Sequence, residues 1–177
     1  EQNAVPELDH SVSMCSYNPD TRRISFYATG ENGNTVIALR DEDGKILWSW
    51  HIWASMNFEP SLTAQTYNNE AGVVMDRNLG ALTVNYGAIS TFGLSYQWGR
   101  KDPFPGSSSR TSAASGSVGM MQSAVAEGYE WKTEKSVSDF DESIANPTVL
   151  YTPNTSNWYP GRYDLWTPAL KTRHDPC

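Results

Sequence analysis

Residues 35–53 read TVIALRDEDGKILWSWHIW, and this stretch decides the fold class. Its two ends, residues 35–40 and 45–53, are rich in the β-branched and aromatic residues that favour strands. The DEDG sequence at 41–44 has the composition of a tight turn between them. Together with the alternating segment at 23–27, the stretch predicts three consecutive antiparallel strands.

The strand predicted at 45–53 has two different faces, because successive side chains point to opposite sides of a strand. The first face is apolar throughout and comprises Ile46, Trp48, Trp50 and Ile52. The second face is mixed and comprises Leu47, Ser49, His51 and Trp53. We expect the apolar face to lie on the core and the mixed face to be partly covered.

The composition of the whole chain favours a β-rich α+β fold with long loops. Only 19% of the 177 residues are charged and 12% are aromatic, so the core is expected to depend on a few large rings. The net charge of −7 argues against a nucleic-acid partner, because binding phosphate requires clustered Lys and Arg. No apolar run approaches the roughly 18 residues of a membrane-spanning helix, so no membrane-spanning segment is predicted.

The chain is predicted to form one domain with an extension. Residues 1–20 are interpreted as a lead-in or linker, and residues 21–177 as the β-rich domain. Short strands are predicted at 73–75 and within 93–98. The Ser/Ala/Gly-rich stretch at 107–117 is predicted to be a mobile loop, since it has little to bury.

Two segments, residues 118–127 and 138–145, have the composition of helices. The second segment has Ser138 or Asp139 as its N-cap, and it is expected to end before Asn146, which precedes a proline. Helices are therefore a minor part of the predicted fold.

No catalytic or metal-binding motif stands in the sequence. The three histidines, His10, His51 and His174, are scattered, and neither H-E-x-x-H nor G-x-S-x-G occurs. The DEDG turn resembles the start of a calcium loop but lacks the further oxygen ligands and the distal Glu that such a loop needs. We therefore predict no catalytic residue, no metal and no cofactor, and a protein that is not an enzyme.

Cys15 and Cys177 are the two cysteines, and nearly the whole chain separates them. A disulfide between them would contribute about 4–5 kcal/mol on the chain-entropy model. Two separate thiols are the alternative.

Aromatic residues in the second half of the chain are the best candidates for ligand binding. They stand among polar, Pro and Gly residues, where rings can be left partly exposed and can stack on sugars or pack against proteins. The candidates are Trp131, Trp158, Tyr159, Tyr163 and Trp166. The alternative is that these rings fill the core of a domain that is short of aliphatic residues.

A second group of residues is predicted to have structural roles. It comprises Trp48, Trp50, Asp76, Arg77, Trp98, Arg100 and Asp102. Arg100 is expected to pair through its guanidinium with a carboxylate such as Asp76 or Asp102, and Gly99 is expected to allow a close backbone approach.

The order of the motifs resembles a known family. NTVIALRD at 34–41, ILWSWHIW at 46–53, VMDRNLGA at 74–81, GLSYQWGRKDPF at 93–104 and ANPT at 145–148 follow one another. In this order they resemble the surface proteins of Bacteroidales that carry a fimbrillin-associated, FISUMP-type (major paralogous) domain.

The resemblance implies a C-type-lectin-like fold, related in outline to formylglycine-generating sulfatase-modifying proteins. It implies a non-enzymatic domain for cell adhesion or ligand binding, on a lipoprotein-type or pilus-associated protein at the outer membrane and cell surface. A glycan, a host or bacterial surface protein, or other pilus or surface subunits are the partners it implies. Two alternatives stay open: a structural subunit of a pilus or surface assembly, and an enzyme of the sulfatase-modifying group.

The resemblance also bears on the C-terminus. Family members continue past the position of Cys177 into a further lectin-like half, so this chain is expected to be the N-terminal part of a larger domain. The resemblance implies that Cys177 pairs with a cysteine in that half, which weakens the case for a bond between Cys15 and Cys177.

Overall fold

The computed structural model describes residues 12–30, 32–55, 59, 63–68, 72–104, 132–135, 139–153, 157–159, 161, 164–167 and 171–176. The strands in these residues are β1 (Val12–Asn18), β2 (Arg23–Ala28), β3 (Gly33–Arg40), β4 (Ile46–Ala54), β5 (Gln65–Tyr67), β6 (Gly72–Val74), β7 (Ser95–Tyr96), β8 (Pro103–Phe104), β9 (Lys132–Lys135) and β10 (Val149–Thr152). One short helix, α1 (Phe140–Ala145), and a 3₁₀ turn at Ile89–Thr91 complete the described elements. The strands pair two by two, antiparallel in every described pair except β9 and β10, which are parallel. The β-rich α+β class is therefore confirmed.

The β3–β4 hairpin confirms two of the three strands predicted around the DEDG turn. The Asp41 carboxylate accepts hydrogen bonds from the amides of Asp43 and Lys45, at 3.1 and 2.8 Å, and so closes the turn. Gly44 adopts a φ of +83°, which L side chains rarely adopt. The third predicted strand is present as β2, but its expected pairing is wrong, because β2 pairs with β1 and not with β3.

The predicted faces of β4 are also wrong, and a β-bulge is the reason. Arg40 pairs with Ile46 and Leu39 pairs with Trp48, so Leu47 is an extra residue that shifts the alternation of the strand. Beyond the bulge, Ser49 is 0% exposed, whereas Leu47 is 50% and Trp50 37% exposed. Past the bulge, the inward face of β4 therefore carries Ser49. A strict two-residue alternation would place Trp50 on that face.

β1 lies within the segment predicted to be a lead-in. It pairs with β2 over the whole hairpin, and its first residue, Val12, is buried. The boundary predicted at residue 20 thus falls in the turn of a hairpin.

The helix α1 follows the prediction closely. Asp139 is its N-cap and accepts a hydrogen bond from the amide of Asp141 at 3.0 Å. The helix ends before Asn146, whose amide donates to the Glu142 carbonyl. β6 and β7 confirm the two short strands, while the predicted loop at 107–117 and helix at 118–127 lie outside the described residues. Within the part of the chain that the structure describes, no helix has the length and apolarity to cross a membrane.

Aromatic rings dominate one described core cluster. Val149, Tyr151 and Trp158 are buried there, and Phe140 and Tyr159 pack against them. Tyr151 and Trp158 stack with their ring centroids 5.8 Å apart. The composition predicts a core of large rings, and this holds for the cluster alone, because most of the buried hydrophobic residues that the structure describes are aliphatic.

Candidate functional site

The candidate site is an open depression of about 320 Å³ on the C-terminal side of the described chain. It is lined by Leu79, Tyr96, Trp166, Thr167, Lys171, Asp175 and Pro176. Its surface is almost entirely apolar, although its lining residues include two hydroxyls, on Tyr96 and Thr167, and one pair of opposite charges. It therefore combines ring faces with a few polar groups, as ligand sites do.

A chain of polar groups that runs to the buried side chain of Asn34 holds Tyr96, which belongs to β7. The Tyr96 hydroxyl lies 3.1 Å from His51 Nδ1, and His51 Nε2 lies 2.9 Å from Asn34 Oδ1. The Asn34 amide nitrogen donates to the Gly80 carbonyl at 2.8 Å, which fixes the orientation of the amide. The ring of Tyr96 is thus anchored from behind by the β3–β4 hairpin.

The protonation state of His51 follows from this chain. Burial lowers the pKa of His51 to about 4, against a smaller opposing effect of the Asp102 charge, so the imidazole is neutral at pH 7. Because Asn34 Oδ1 can only accept, His51 carries its proton on Nε2 and accepts at Nδ1 from the Tyr96 hydroxyl. The Tyr96 hydroxyl is therefore held as a donor to His51.

Trp166 is held by the loop that follows it. Its indole nitrogen donates to the His174 carbonyl at 2.7 Å, and the Thr172 hydroxyl donates to the Leu165 carbonyl at 2.6 Å. Both bonds join residues of the same C-terminal segment, and in both the acceptor is a backbone carbonyl of that segment. This segment therefore holds Trp166 in place itself.

The charged pair of the depression is Lys171 and Asp175. Lys171 Nζ lies 3.2 Å from Asp175 Oδ2, and the two side chains are 64% and 10% exposed. The ammonium can therefore leave its partner for a ligand at small cost, while the carboxylate stays in place.

A second cluster has the elements of a nucleophile and its base but is closed to solvent. Lys101 Nζ lies 2.6 Å from both Ser49 Oγ and Asp102 Oδ2, and Ser49 donates to the same carboxylate oxygen at 2.8 Å. Burial lowers the pKa of Lys101, and Asp102 offsets part of that effect. The Trp48 ring covers the ammonium, with its centroid 4.6 Å away. Because Ser49 is fully buried, no substrate reaches it in this arrangement.

The sequence prediction that Arg100 pairs with a carboxylate is wrong. Its guanidinium donates to three backbone carbonyls, those of Ser143, Asn146 and Val149, and not to Asp76 or Asp102. It thereby satisfies the C-terminal end of α1 and the start of β10. Burial lowers the pKa of Arg100 to about 10, so it stays charged at neutral pH.

Gln97, like Arg100, binds the backbone of β10 through its side chain. Its amide group donates to the Tyr151 carbonyl at 2.6 Å and accepts from the Tyr151 amide at 3.3 Å, as a strand backbone would. Gly99 adopts a φ of +82°, and a Cβ there would lie 2.7 Å from Leu165 Cδ1. The close approach at Gly99 is therefore made by a side chain and not by backbone.

The Asp76 and Arg77 pair is local. Arg77 forks onto both oxygens of Asp76, at 2.8 and 3.0 Å, and also donates to Ser55 Oγ at 3.1 Å. Hydrogen bonds from Arg77 hold the pKa of Asp76 below its usual value.

The predicted structural tryptophans lie around these clusters. The charges of Lys101 and Arg173 lie 4.6 and 5.0 Å from the centroid of the Trp48 ring, which is 5.7 Å from that of His174. The Trp98 carbonyl accepts from the Trp158 indole at 2.7 Å, while Trp50 is partly exposed.

The five predicted ligand-binding rings separate into three groups. Trp158 is buried in the core cluster, so its ring is a core residue and is closed to ligands. Tyr159 is half-buried against Phe140, and Trp166 lines the depression. Trp131 and Tyr163 lie outside the described residues.

Sequence reasoning missed most of the depression. Leu79, Thr167 and Pro176 carry no recognisable signal, and Tyr96 stands in a segment interpreted as framework. The four-residue spacing of Lys171 and Asp175 is the one feature of the sequence that could have indicated this site. It fits an ordinary exposed ion pair equally well.

Metal ligands and relatives give no further guidance. Among the residues that the structure describes, no three His, Cys, Asp or Glu side chains gather where they could hold a metal ion. Cys15 lies in β1 and Cys177 outside the described residues, so their pairing stays a prediction.

Comparison of the chain with protein-family models, with curated proteins and with solved structures finds no match.

Proposed function

We propose that this chain is a non-enzymatic ligand-binding domain, and that its depression receives a sugar ring. The observation that carries the proposal is the joining of two aromatic residues, Tyr96 and Trp166, with the Lys171–Asp175 pair in one open depression. The resemblance to surface proteins supports an adhesion role at the cell surface, with a glycan as the partner and a C-type-lectin-like fold.

A pyranose fits the chemistry of the depression. Its apolar C–H face packs on an aromatic ring, and its ring hydroxyls both donate and accept hydrogen bonds. Neighbouring hydroxyls on the sugar can donate to the Asp175 carboxylate and accept from the Lys171 ammonium.

The affinity is expected to be low. A volume of about 320 Å³ is at the small end for ligand sites, and the depression is open. A dissociation constant on the order of 1 mM, or about 4 kcal/mol, is therefore expected for one sugar ring. Adhesion with such sites needs several of them acting together.

A non-enzymatic role is supported by the closed Ser49–Lys101–Asp102 cluster, which has the groups for covalent chemistry and no access. The structural-subunit and sulfatase-modifying alternatives remain predictions. The second of them needs a reactive pair of cysteines in a cleft.

The test is an NMR titration of the full chain with glucose, galactose, mannose and N-acetylglucosamine, alongside a glycan array. We expect saturable shifts at the Trp166 indole and at Tyr96 with at least one sugar. Absence of a saturable shift with every sugar, together with a blank array, would contradict the proposal.

A matched pair of variants locates the site. Lys171→Ala is expected to weaken the binding by about tenfold, which corresponds to about 1.4 kcal/mol. Lys135→Ala removes another exposed lysine, on β9, and is expected to leave it unchanged. Equal effects of the two variants would show that charge alone, and not the depression, causes the binding.

A further inference from the structure

The β1–β2 hairpin exposes four large apolar side chains to solvent. Met14 is 83% and Tyr27 68% exposed, and Tyr17 and Phe26 are also exposed. A two-stranded hairpin is marginally stable in water, and three or more strands are usually needed. Within the described residues, β2 pairs with β1 alone.

The two edges of the hairpin differ. β1 contains a bulge between Ser13 and Ser16, with Met14 at a φ of +53°, and it is the strand in contact with β3. β2 is regular from Arg23 to Ala28 and contains neither Gly nor Pro. Bulges, prolines and charges are the usual protections of a strand edge, and on β2 only Arg23 provides one.

We infer that β2 is a self-association edge, on which β2 of a second copy of this chain pairs in antiparallel register across a two-fold axis at Ser25. The result is a four-stranded sheet in the order β1–β2–β2–β1. The inference concerns a surface other than the depression and does not depend on the proposed ligand.

The strand sequence fits this register. In an antiparallel pair centred on Ser25, Arg23 of each copy lies opposite Tyr27 of the other, and Ile24 lies opposite Phe26. The first pairing places a guanidinium beside an exposed phenol ring on one face. The second joins two apolar side chains on the other face, and each pairing occurs twice.

The charge distribution favours a second copy at this edge. Each chain carries a net charge of −7, so two copies repel each other over most of their surfaces. Neither β1 nor β2 contains an acidic residue, and Arg23 supplies positive charge at the contact. The two Arg23 side chains lie at opposite ends of the paired strands, so they do not oppose each other.

Charge substitutions at Ser25 test the register, because the axis places this exposed residue opposite its own copy. Ser25→Asp and Ser25→Lys each put like charges about 5 Å apart, and each is expected to raise the dimer dissociation constant by at least about tenfold. A mixture of the two variants puts opposite charges there, and it is expected to restore the dimer. Sedimentation velocity of the full chain over a wide concentration range measures all of these states.

Ser16→Asp is the matched control. Ser16 lies opposite Ser25 on the other strand of the hairpin, so in the dimer it is about 14 Å from its copy, three strand spacings away. Charges at that distance are largely screened at physiological salt, and an effect below about twofold is expected.

Three results would overturn the inference. The first is a wild-type chain that stays monomeric at all accessible concentrations. The second is a dimer that neither Ser25 variant weakens. The third is a mixture of the variants that associates no better than either one alone. Amide hydrogen exchange of the wild type gives a check without substitution, since β2 amides are expected to exchange more slowly as the concentration rises.

Discussion

Two lysine–aspartate pairs in this chain use the same groups in opposite settings. Lys101 and Asp102 lie 2.6 Å apart with side chains at most one-tenth exposed, under Trp48 and against Ser49. Lys171 and Asp175 lie 3.2 Å apart at the rim of the depression, with the lysine open to solvent. Access, and not the identity of the groups, therefore separates a structural pair from a pair available to a ligand.

The largest expected effect is at the buried pair. Asp102→Ala leaves the Lys101 ammonium buried with Ser49 and the Trp48 ring as its partners among the described residues, and it is expected to lower the free energy of unfolding by about 3–5 kcal/mol. Urea unfolding measures the loss. The double variant Lys101→Met with Asp102→Leu removes both charges and is expected to recover most of the stability. A loss below about 1 kcal/mol for Asp102→Ala would show that the pair is solvated.

The next largest effect is the pH dependence of stability that His51 produces. This residue joins the buried Asn34 to Tyr96 of the depression. Its pKa is about 4 in the folded chain and about 6.5 in the unfolded chain, so the unfolded chain binds the proton more readily. Stability from the neutral ring is present above pH 6.5 and is lost as the pH falls from 6.5 to 4, up to about 3 kcal/mol. Unfolding of wild type and His51→Gln over this range measures the difference, and parallel curves would contradict it.

Arg100→Lys is expected to cost about 2 kcal/mol, because one ammonium cannot reach the three carbonyls that the guanidinium joins. Unfolding by urea tests this, with Arg22→Lys in the exposed turn between β1 and β2 as the control. Equal stability of the two variants would mean that solvent satisfies the carbonyls.

The smallest effect is expected at the open pair. Lys171→Ala changes the unfolding free energy by less than about 0.5 kcal/mol, since exposed ion pairs contribute little. The same denaturation assay measures it. A loss comparable to that of Asp102→Ala would remove the distinction between the two pairs.

Local patterns in the sequence are sufficient for the local elements. The β3–β4 hairpin, the turn closed by Asp41 and the N-cap at Asp139 were predictable, because each depends on residues within a few positions of one another. The bulge at Leu47 was not, because it is defined by the register against β3 and reverses the faces of β4. The parallel pairing of β9 and β10 likewise joins segments that no short pattern connects.

The site was less predictable than the fold. Ser49 and Asp102 meet across 53 positions, and Tyr96 and His51 across 45, so no spacing rule brings them together. Of the three predicted ligand-binding rings that the structure describes, only Trp166 lines the depression, since Trp158 is buried in the core cluster and Tyr159 packs against it. The family resemblance and the cell-surface location stay predictions.

Gln97 and Arg100 bear on how this chain can vary over evolution. Both residues bind main-chain atoms of the segment 143–151, and those atoms are present whatever side chains the segment carries. Outward positions there, such as Leu150, can therefore be exchanged without disturbing the anchor. We therefore expect substitutions to be tolerated at the outward positions of 143–151 and to be harmful at Gln97 and Arg100, whose side chains make these bonds.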